Sequence, residues 1–161
     1  MDPTREEITI EFDRLDSPVA ADLVARTVAE LNSRYSDHEH KMKGLDSGEF
    51  LPTTGVFLIA RVEDWPAGCG GLRRIDDQTA EIKRMYVEPG ARCRGIGRKI
   101  LEELEFHARR LGYRKVRLET GVRQPEAIQL YESAGYQRIS AYGEFSGSPL
   151  SICFEKSLRA L

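Results

Sequence analysis

The feature that most constrains the fold is a change in the spacing of apolar residues between positions 79 and 120. Residues 79–87 form a short apolar-rich run bounded by turn residues, which is typical of a strand. From Ile96 to Leu111 apolar residues recur every three or four positions, which predicts an amphipathic helix that ends at Gly112. Residues 115–120 return to a strand pattern. This order predicts a strand–helix–strand unit with two parallel strands.

The rest of the chain predicts two more helices and five more strands. Ser17 followed by Pro18 is a typical helix start, and Pro125 with Gly135 bounds a later helix. Two strands directly before the unit predict an antiparallel meander with the first strand of the unit. We therefore expect a single α/β domain of α+β type over residues 1–161, with a mixed, mostly antiparallel central sheet flanked by helices. The five strands are residues 8–12, 55–62, 69–75, 136–139 and 150–155, with a turn at 63–68 around Pro66 and an irregular segment at 32–52.

Composition argues against several classes of protein. The formal net charge is −2 and the sequence pI is about 6.0, whereas nucleic-acid binding or attachment to an anionic membrane requires a basic surplus. The first eleven residues are charged and lack the apolar run of a signal peptide, and no stretch is long and apolar enough to span a membrane. We expect a cytoplasmic protein whose partner is a small molecule or another protein.

The cysteines and histidines do not predict a metal site. The three cysteines, Cys69, Cys93 and Cys153, have no C-x-x-C spacing, which is typical of reduced thiols. His38, His40 and His107 have no partners at metal-ligand spacing. We expect no metal, and no histidine lies near enough in sequence to activate Cys93 as a nucleophile.

The loop between the first strand of the unit and its helix has the chemistry of an anion-binding site. Gly95 and Gly97 allow the backbone to approach a bulky anion, and the first N–H groups of the helix are unpaired at its positive dipole end. Arg92, Arg94, Arg98 and Lys99 add cationic side chains nearby. The segment therefore predicts a site for a diphosphate.

Two well-known phosphate-binding motifs do not match this loop. A P-loop requires Lys and then Ser or Thr after its last glycine, but Ile96 and Gly97 follow Gly95. A dinucleotide-binding fingerprint requires a third glycine or alanine where this chain has Ile100. The loop is therefore of another kind.

The pattern R-x-x-G-x-G, formed by Arg92, Gly95 and Gly97, resembles the acyl-CoA signature of the GNAT superfamily of N-acetyltransferases. The segment from Ala127 through Tyr131 to Tyr136 is similar to the second signature of that superfamily, and the likeness spans about residues 70–139. The resemblance implies acetyl-CoA as co-substrate and a bulged strand that separates from its neighbour and offers backbone groups to the pantetheine arm. Gln124 stands where many members have an asparagine that contacts the cofactor. The resemblance implies cofactor binding by Met85, Tyr86, Val87, Arg92, Cys93, Arg94, Gly95, Ile96, Gly97, Arg98 and Gln124.

Acetyl transfer to an amine requires a base for the amine and an acid for the departing thiolate. Tyr131 is the candidate acid, as the resemblance implies, and its alternative role is to pack in the core. Glu81 is the candidate base because it lies 14 residues before Gly95, an offset found in histone-acetyltransferase members. Its alternative is an ordinary strand glutamate that faces solvent or pairs with Lys83 or Arg84. Glu119 or water are further candidates for the base.

The sequence does not identify the acceptor. Acidic residues at 37, 39, 46 and 49 would suit a cationic amine, whereas Arg73 or Arg84 would suit a carboxylate, as in an amino acid. We expect a small-molecule primary amine that attacks acetyl-CoA directly in a ternary complex. Protein lysine or N-terminal acetylation and non-catalytic acyl-CoA binding are the alternatives, and a homodimer is compatible with the terminal strands or the loop around Phe145.

Overall fold

The computed structural model describes residues 5–37 and 43–161, and in these residues it contains one seven-stranded sheet and three α-helices. The predicted residues His38, Glu39, His40 and Lys41 lie outside the described residues. The strands are β1 (Ile8–Phe12), β2 (Val56–Val62), β3 (Trp65–Arg74), β4 (Thr79–Val87), β5 (Lys115–Gly121), β6 (Gln137–Ile139) and β7 (Ser151–Ser157). The helices are α1 (Pro18–Arg34), α2 (Ile96–Arg110) and α3 (Pro125–Ser133).

The strands lie in the order β1-β2-β3-β4-β5-β7-β6. The β4–β5 pair is parallel, with α2 as its crossover, and the other five pairs are antiparallel. This confirms the mixed, mostly antiparallel sheet flanked by helices. The insertion of β7 between β5 and β6 was not predicted, because sequence periodicity does not report which strands pair.

Helices cover both faces of the sheet, so both faces of β2 are apolar. Leu58 and Ala60 pack in the cluster that includes Leu104 of α2, whereas Phe57 and Ile59 pack in the cluster that includes Leu23 of α1. Successive residues of a strand point to opposite faces, so α1 and α2 lie on opposite sides. Tyr131 places α3 on the α2 side. None of the helices in the described ranges is long and apolar enough to cross a membrane.

The helix boundaries follow the local signals in the sequence. The Ser17 hydroxyl accepts a hydrogen bond from Ala20 N at 3.1 Å, which caps α1 before its first-turn proline. Gly112 and Gly135 follow α2 and α3 with φ of 90° and 91°, in the left-handed region that glycine favours. The predicted starts of the three helices and the ends of α2 and α3 are confirmed within about two residues, whereas α1 continues to Arg34, three residues into the segment 32–52 that was expected to be irregular.

Two local expectations were wrong. Pro66 lies inside β3 and not in a turn, because the shift of register opposite Ala60 and Arg61 accommodates a residue that has no N–H to donate. The alternation of Ile8, Ile10 and Phe12 with polar residues predicts one buried face of the first strand, but Phe12 is 61% exposed. Its ring instead packs edge-on against the His107 ring, with 4.9 Å between centroids.

Candidate active site

A bulge in β4 opens the sheet in front of α2. Cys69 pairs with Tyr86 and Gly71 pairs with Lys83, so Arg84 and Met85 stand opposite the single residue Gly70. Arg84 has a φ of 60°, which is uncommon for a residue with a side chain. The bulge that the family resemblance implied is therefore present.

Beyond this point β4 and β5 separate. Their pairing is limited to residues 79–81 of β4 against residues 115–117 of β5, although both strands continue. From Ile82 to Val87 the edge of β4 that faces β5 is unpaired, which leaves backbone donors and acceptors open to a ligand. The separation of strands implied by the resemblance is also present.

The start of α2 presents unpaired amide groups at the end of this gap. Gly95 precedes the helix in the left-handed conformation with a φ of 77°, and Cys93 also has a positive φ of 65°. The first hydrogen bond of the helix runs from Lys99 N to Gly95 O at 3.0 Å. The N–H groups of the three residues before Lys99 therefore have no partner within the helix and carry the positive end of its dipole.

A cavity of about 500 Å³ lies between the start of α2, the end of β4, α3 and α1. Ten of the residues predicted for cofactor binding line it, and Tyr131 lines it as well. Arg94 and Glu81 are not among the lining residues. The lining residues are Thr27, Glu30, Leu31, Arg34, Met85, Tyr86, Val87, Ala91, Arg92, Cys93, Gly95, Ile96, Gly97, Arg98, Gln124, Glu126, Ala127, Gln129, Leu130, Tyr131 and Ser133.

The three arginines of the loop have different partners. Arg92 donates to Val87 O at 2.9 Å and to Glu30 Oε2 at 2.8 Å, which holds the end of β4 against α1. Arg98 donates to the Ser133 hydroxyl at 2.6 Å and so joins α2 to α3 across the cavity. Arg94 pairs with Glu6. Three of the four cationic side chains expected around the anion site are therefore already engaged by other described residues.

Helix α1 contributes a wall that the sequence did not predict. Burial raises the pKa of the Glu30 carboxyl, but the hydrogen bond and charge of Arg92, together with Arg34, bring it below its usual value. Arg34 also pairs with Glu126 of α3 at 2.8 Å. Near the C-terminal end of α1, the Gln124 Oε1 atom accepts from Gly121 N at 3.0 Å, so this amide braces the loop after β5. The only sequence signal for this side of the cavity is that α1 carries charged residues, such as Glu30 and Arg34, among its apolar ones.

Tyr131 is the one predicted proton-transfer group that lines the cavity. It is 4% exposed, and its ring centroid lies 5.8 Å from that of Tyr136 and 5.9 Å from that of Phe154. Its hydroxyl forms no hydrogen bond with any part of the chain that the structure describes. Burial, and then the charge of Glu119, raises the pKa of Tyr131, which keeps the phenol protonated.

Glu81 is buried but its carboxylate is fully engaged. Arg73 Nε donates to Oε1 at 2.9 Å, and the Tyr142 hydroxyl donates to Oε2 at 2.5 Å. The expected alternatives, a solvent-facing side chain or a pair with Lys83 or Arg84, were therefore both wrong. The contact between Tyr142 and Glu81 could not be predicted from the sequence, because Tyr142 lies 61 residues away in a loop of no regular pattern.

Glu119 has the environment that was expected of a base. Burial raises its pKa to about 7; the charges of Glu144 and Glu81 also raise it, and Lys83 opposes them. Its carboxylate has no hydrogen bond or ion pair within residues 5–37 and 43–161. Because its charge acts on Tyr131, the two groups lie within electrostatic reach of each other.

Cysteine and metal chemistry gain no support from the geometry. Cys69 and Cys153 are buried, Cys93 is exposed, and all three are free thiols. In the described part of the chain no three His, Cys, Asp or Glu side chains form a cluster that could hold a metal ion.

Comparison with known proteins agrees with this geometry. Residues 24–136 match the model of the acetyltransferase (GNAT) family. An IAA acetyltransferase of Azospirillum brasilense is 41% identical over 104 residues, which cover 63% of this chain and 67% of that protein. The uncharacterized N-acetyltransferase YsnE of Bacillus subtilis is 29% identical over 148 residues, which cover 85% of this chain and 96% of that protein.

Among solved structures, a provisionally named acyl-CoA N-acyltransferase from Klebsiella pneumoniae superimposes with a TM-score of 0.82. It is 31% identical, and the match covers 94% of this chain and 98% of that one. The family match extends from α1 through α3 and so includes every element that lines the cavity. The chain belongs to the GNAT family of acetyltransferases.

Proposed function

We propose that this protein transfers the acetyl group of acetyl-CoA to a primary amine of a small molecule by direct attack in a ternary complex. The observation that carries the proposal is that one cavity joins the unpaired amides at the start of α2 to the unpartnered hydroxyl of Tyr131. An anion site and a proton donor thus open into the same space.

The residues around the cavity fit coenzyme A. A Cβ atom at Gly95 would meet nothing within 4 Å, so the backbone there borders open space and an anion can approach it. A Cβ atom at Gly97 would lie 3.2 Å from Leu130 Cδ2, so glycine at this position keeps α2 and α3 close without closing the cleft. The unpaired edge of β4 over Met85, Tyr86 and Val87 suits an extended arm with amide groups.

Acetyl-CoA supplies a thioester that an amine can attack and from which a thiolate leaves. Backbone N–H groups on the open edge of β4 would stabilise negative charge on the thioester oxygen, an effect of about 3 kcal/mol per donor in a site with little water. Tyr131 would protonate the departing sulfur, since its raised pKa keeps the proton available.

For the base, the geometry favours Glu119 over Glu81. Both oxygens of Glu81 already accept hydrogen bonds, so a proton taken from an amine would displace Arg73 or Tyr142. Glu119 has no such partners among the described residues, and its pKa of about 7 suits a base at neutral pH. We therefore assign proton removal to Glu119 and a positioning role to Glu81.

A small acceptor is favoured over a protein because two loops meet above β4. Lys43 O accepts from Arg84 at 2.7 Å, Lys43 Nζ lies 3.7 Å from Glu144 Oε2, and Tyr142 bonds to Glu81. These contacts narrow access to the sheet on the α1 side.

The test is a screen of small amines and of lysine-containing peptides with acetyl-CoA, read by released thiol and by mass spectrometry of the products. The proposal predicts saturable acetylation of small amines. Acetyl-CoA binding without turnover of any acceptor would instead indicate a binding module, and turnover of peptides alone would indicate a protein acetyltransferase.

A further inference from the structure

The face of the sheet around Glu119 carries many charged side chains, and most of them neutralise each other. Arg73 Nη2 lies 2.8 Å from Glu81 Oε1, and Arg73 Nη1 lies 3.2 Å from Glu49 Oε2. Arg117 Nε lies 2.6 Å from Glu155. These pairs are internally satisfied and offer little to a charged ligand.

Three charged side chains on this face have no ion-pair partner among the described residues. Lys83 and Arg84, adjacent on the bulge of β4, form no ion pair within residues 5–37 and 43–161, and neither does Glu119 on β5. Lys83 is within electrostatic reach of Glu119, because its charge acts on that carboxyl. These three groups are two cations, Lys83 and Arg84, and one carboxylate, Glu119, whose pKa is raised by burial.

Arg84 is the most unusual member of the three. Its guanidinium is partly buried and, among residues 5–37 and 43–161, donates only to Lys43 O, at 2.7 Å, while its neighbour Arg73 adds a second positive charge. Burial, together with the Arg73 charge, lowers the pKa of Arg84. A desolvated cation without a counter-ion is unfavourable, so an anion that binds here gains both a partner and relief of that cost.

Lys83 is the second cation beside Arg84 on this face of the sheet. Its Nζ atom lies 5.2 Å from the centroid of the Phe145 ring, in the loop that also carries Tyr142. A lysine held by a ring and not by a carboxylate keeps its donors for a ligand.

We propose that the acceptor amine also carries a carboxylate, as an amino acid does, and that Arg84 and Lys83 hold this carboxylate while the amine faces Glu119. This inference rests on the acetyl transfer proposed above and adds the substrate class. It selects Arg84 over Arg73, the other arginine considered for this role, because Arg73 is already paired with two glutamates.

The acidic residues that would have suited a purely cationic amine are occupied. Glu49 pairs with Arg73, Asp46 accepts from Gly48 N at 2.9 Å, and Asp37 pairs with Arg123. Glu39 lies outside the described residues. The unsatisfied charge on this face is therefore mainly positive.

The experiment compares acceptors in matched pairs that differ only in the carboxylate: the set of natural amino acids against the amines formed by their decarboxylation. The wild-type protein is expected to show kcat/KM about 10-fold or more higher for the carboxylate-bearing member, the effect of one charge-assisted hydrogen bond. Arg84→Gln is expected to remove most of this ratio, Arg84→Lys to keep part of it, and Lys83→Met to reduce it. Arg114→Gln, on an exposed side chain directly before β5 and five positions from Glu119, is the control and should leave the ratio unchanged.

Equal or better use of the decarboxylated amines by the wild-type protein would overturn the inference, and so would a ratio that survives in both Arg84→Gln and Lys83→Met. Binding of acetyl-CoA without acetylation of any amino acid would also overturn it. Failure to bind acetyl-CoA at all would overturn the proposed function instead, so calorimetry with acetyl-CoA is run first. If Arg84→Gln does not fold, the wild-type ratio and Lys83→Met decide the question.

Discussion

The hydroxyl of Tyr142 donates a 2.5 Å hydrogen bond to Oε2 of Glu81, while Arg73 holds Oε1 of the same carboxylate. This arrangement ties the loop after β6 to the centre of the sheet. Glu119, by contrast, has no hydrogen bond or ion pair within residues 5–37 and 43–161, which is why we propose it as the base.

The proton-transfer role of Glu119 can be tested through the pH dependence of kcat. Because the base must be ionised, kcat should rise with pH through about 7, the pKa of Glu119. Glu119→Gln should lower kcat by about 100-fold or more and remove this acidic limb. Steady-state kinetics with saturating acceptor from pH 5 to 9 measure both effects.

Glu81→Gln is the comparison for that experiment. It should weaken the contacts to Arg73 and Tyr142 and so reduce stability and acceptor affinity, yet retain the acidic limb. Loss of the limb in Glu81→Gln and its survival in Glu119→Gln would reverse the assignment.

The same carboxyl predicts a pH-dependent stability. The pKa of Glu119 is about 7 in the folded state against 4.5 for the free side chain, so the folded state binds more protons between these values. Stability contributed by this group is therefore present below about pH 4.5 and lost as pH rises through about 7. Glu119→Gln should raise the free energy of unfolding relative to wild type by about 1–3 kcal/mol more at pH 8 than at pH 4.5. Urea denaturation at both pH values measures this; an unchanged difference would show that the carboxyl is not desolvated.

Tyr131→Phe removes the hydroxyl and keeps the ring that packs against Tyr136 and Phe154. It should lower kcat by about 100-fold while changing the Kd for acetyl-CoA by no more than about threefold. The matched control is Tyr113→Phe, which removes a buried hydroxyl that bonds Thr54 O at 2.6 Å away from the cavity. A Tyr131→Phe protein with full kcat would leave Tyr131 only its packing role.

Arg94 and Arg98 can be compared to test whether acetyl-CoA binding depends on contacts inside the cavity or only on the overall positive charge of the loop. Arg98 lines the cavity, whereas Arg94 lies outside its lining and pairs with the exposed Glu6. Arg98→Gln should weaken acetyl-CoA binding by about 10-fold, and Arg94→Gln by no more than about twofold. Fluorescence or calorimetric titration at two salt concentrations measures this, and equal losses would indicate a diffuse electrostatic effect.

Much of the fold could be predicted from sequence because its signals are local. Ser17, Gly112 and Gly135 mark helix ends through their own backbone or side-chain chemistry, and the period of apolar residues distinguishes α2 from the strands around it. The order of the strands in the sheet could not be predicted from such local signals. The position of β7 between β5 and β6 depends on contacts between residues that are far apart in sequence, which no local pattern records.

The candidate site, like the fold, could be predicted from local motifs but not where it depends on contacts between distant residues. The loop from Arg92 to Gly97 and the position of Tyr131 followed from motifs, and both lie at the cavity. The partners of charged groups did not follow from motifs. Glu30 reaches Arg92 across 62 residues and Tyr142 reaches Glu81 across 61, so the free and the occupied charges could be distinguished only in three dimensions.

Binding of acetyl-CoA at the start of α2, where Gly95 leaves the backbone open to a ligand, can be tested by isothermal titration calorimetry of a matched pair of glycine variants. Gly95 and Gly112 both have positive φ, and a Cβ atom at either position would meet nothing within 4 Å, but only Gly95 lines the cavity. Replacement by alanine should cost about 1–2 kcal/mol of stability at either position. The account predicts saturable binding of acetyl-CoA to the wild-type protein and to Gly112→Ala, with affinity at least about 10-fold lower in Gly95→Ala. No heat of binding to the wild-type protein, or the same affinity in all three proteins, would contradict it.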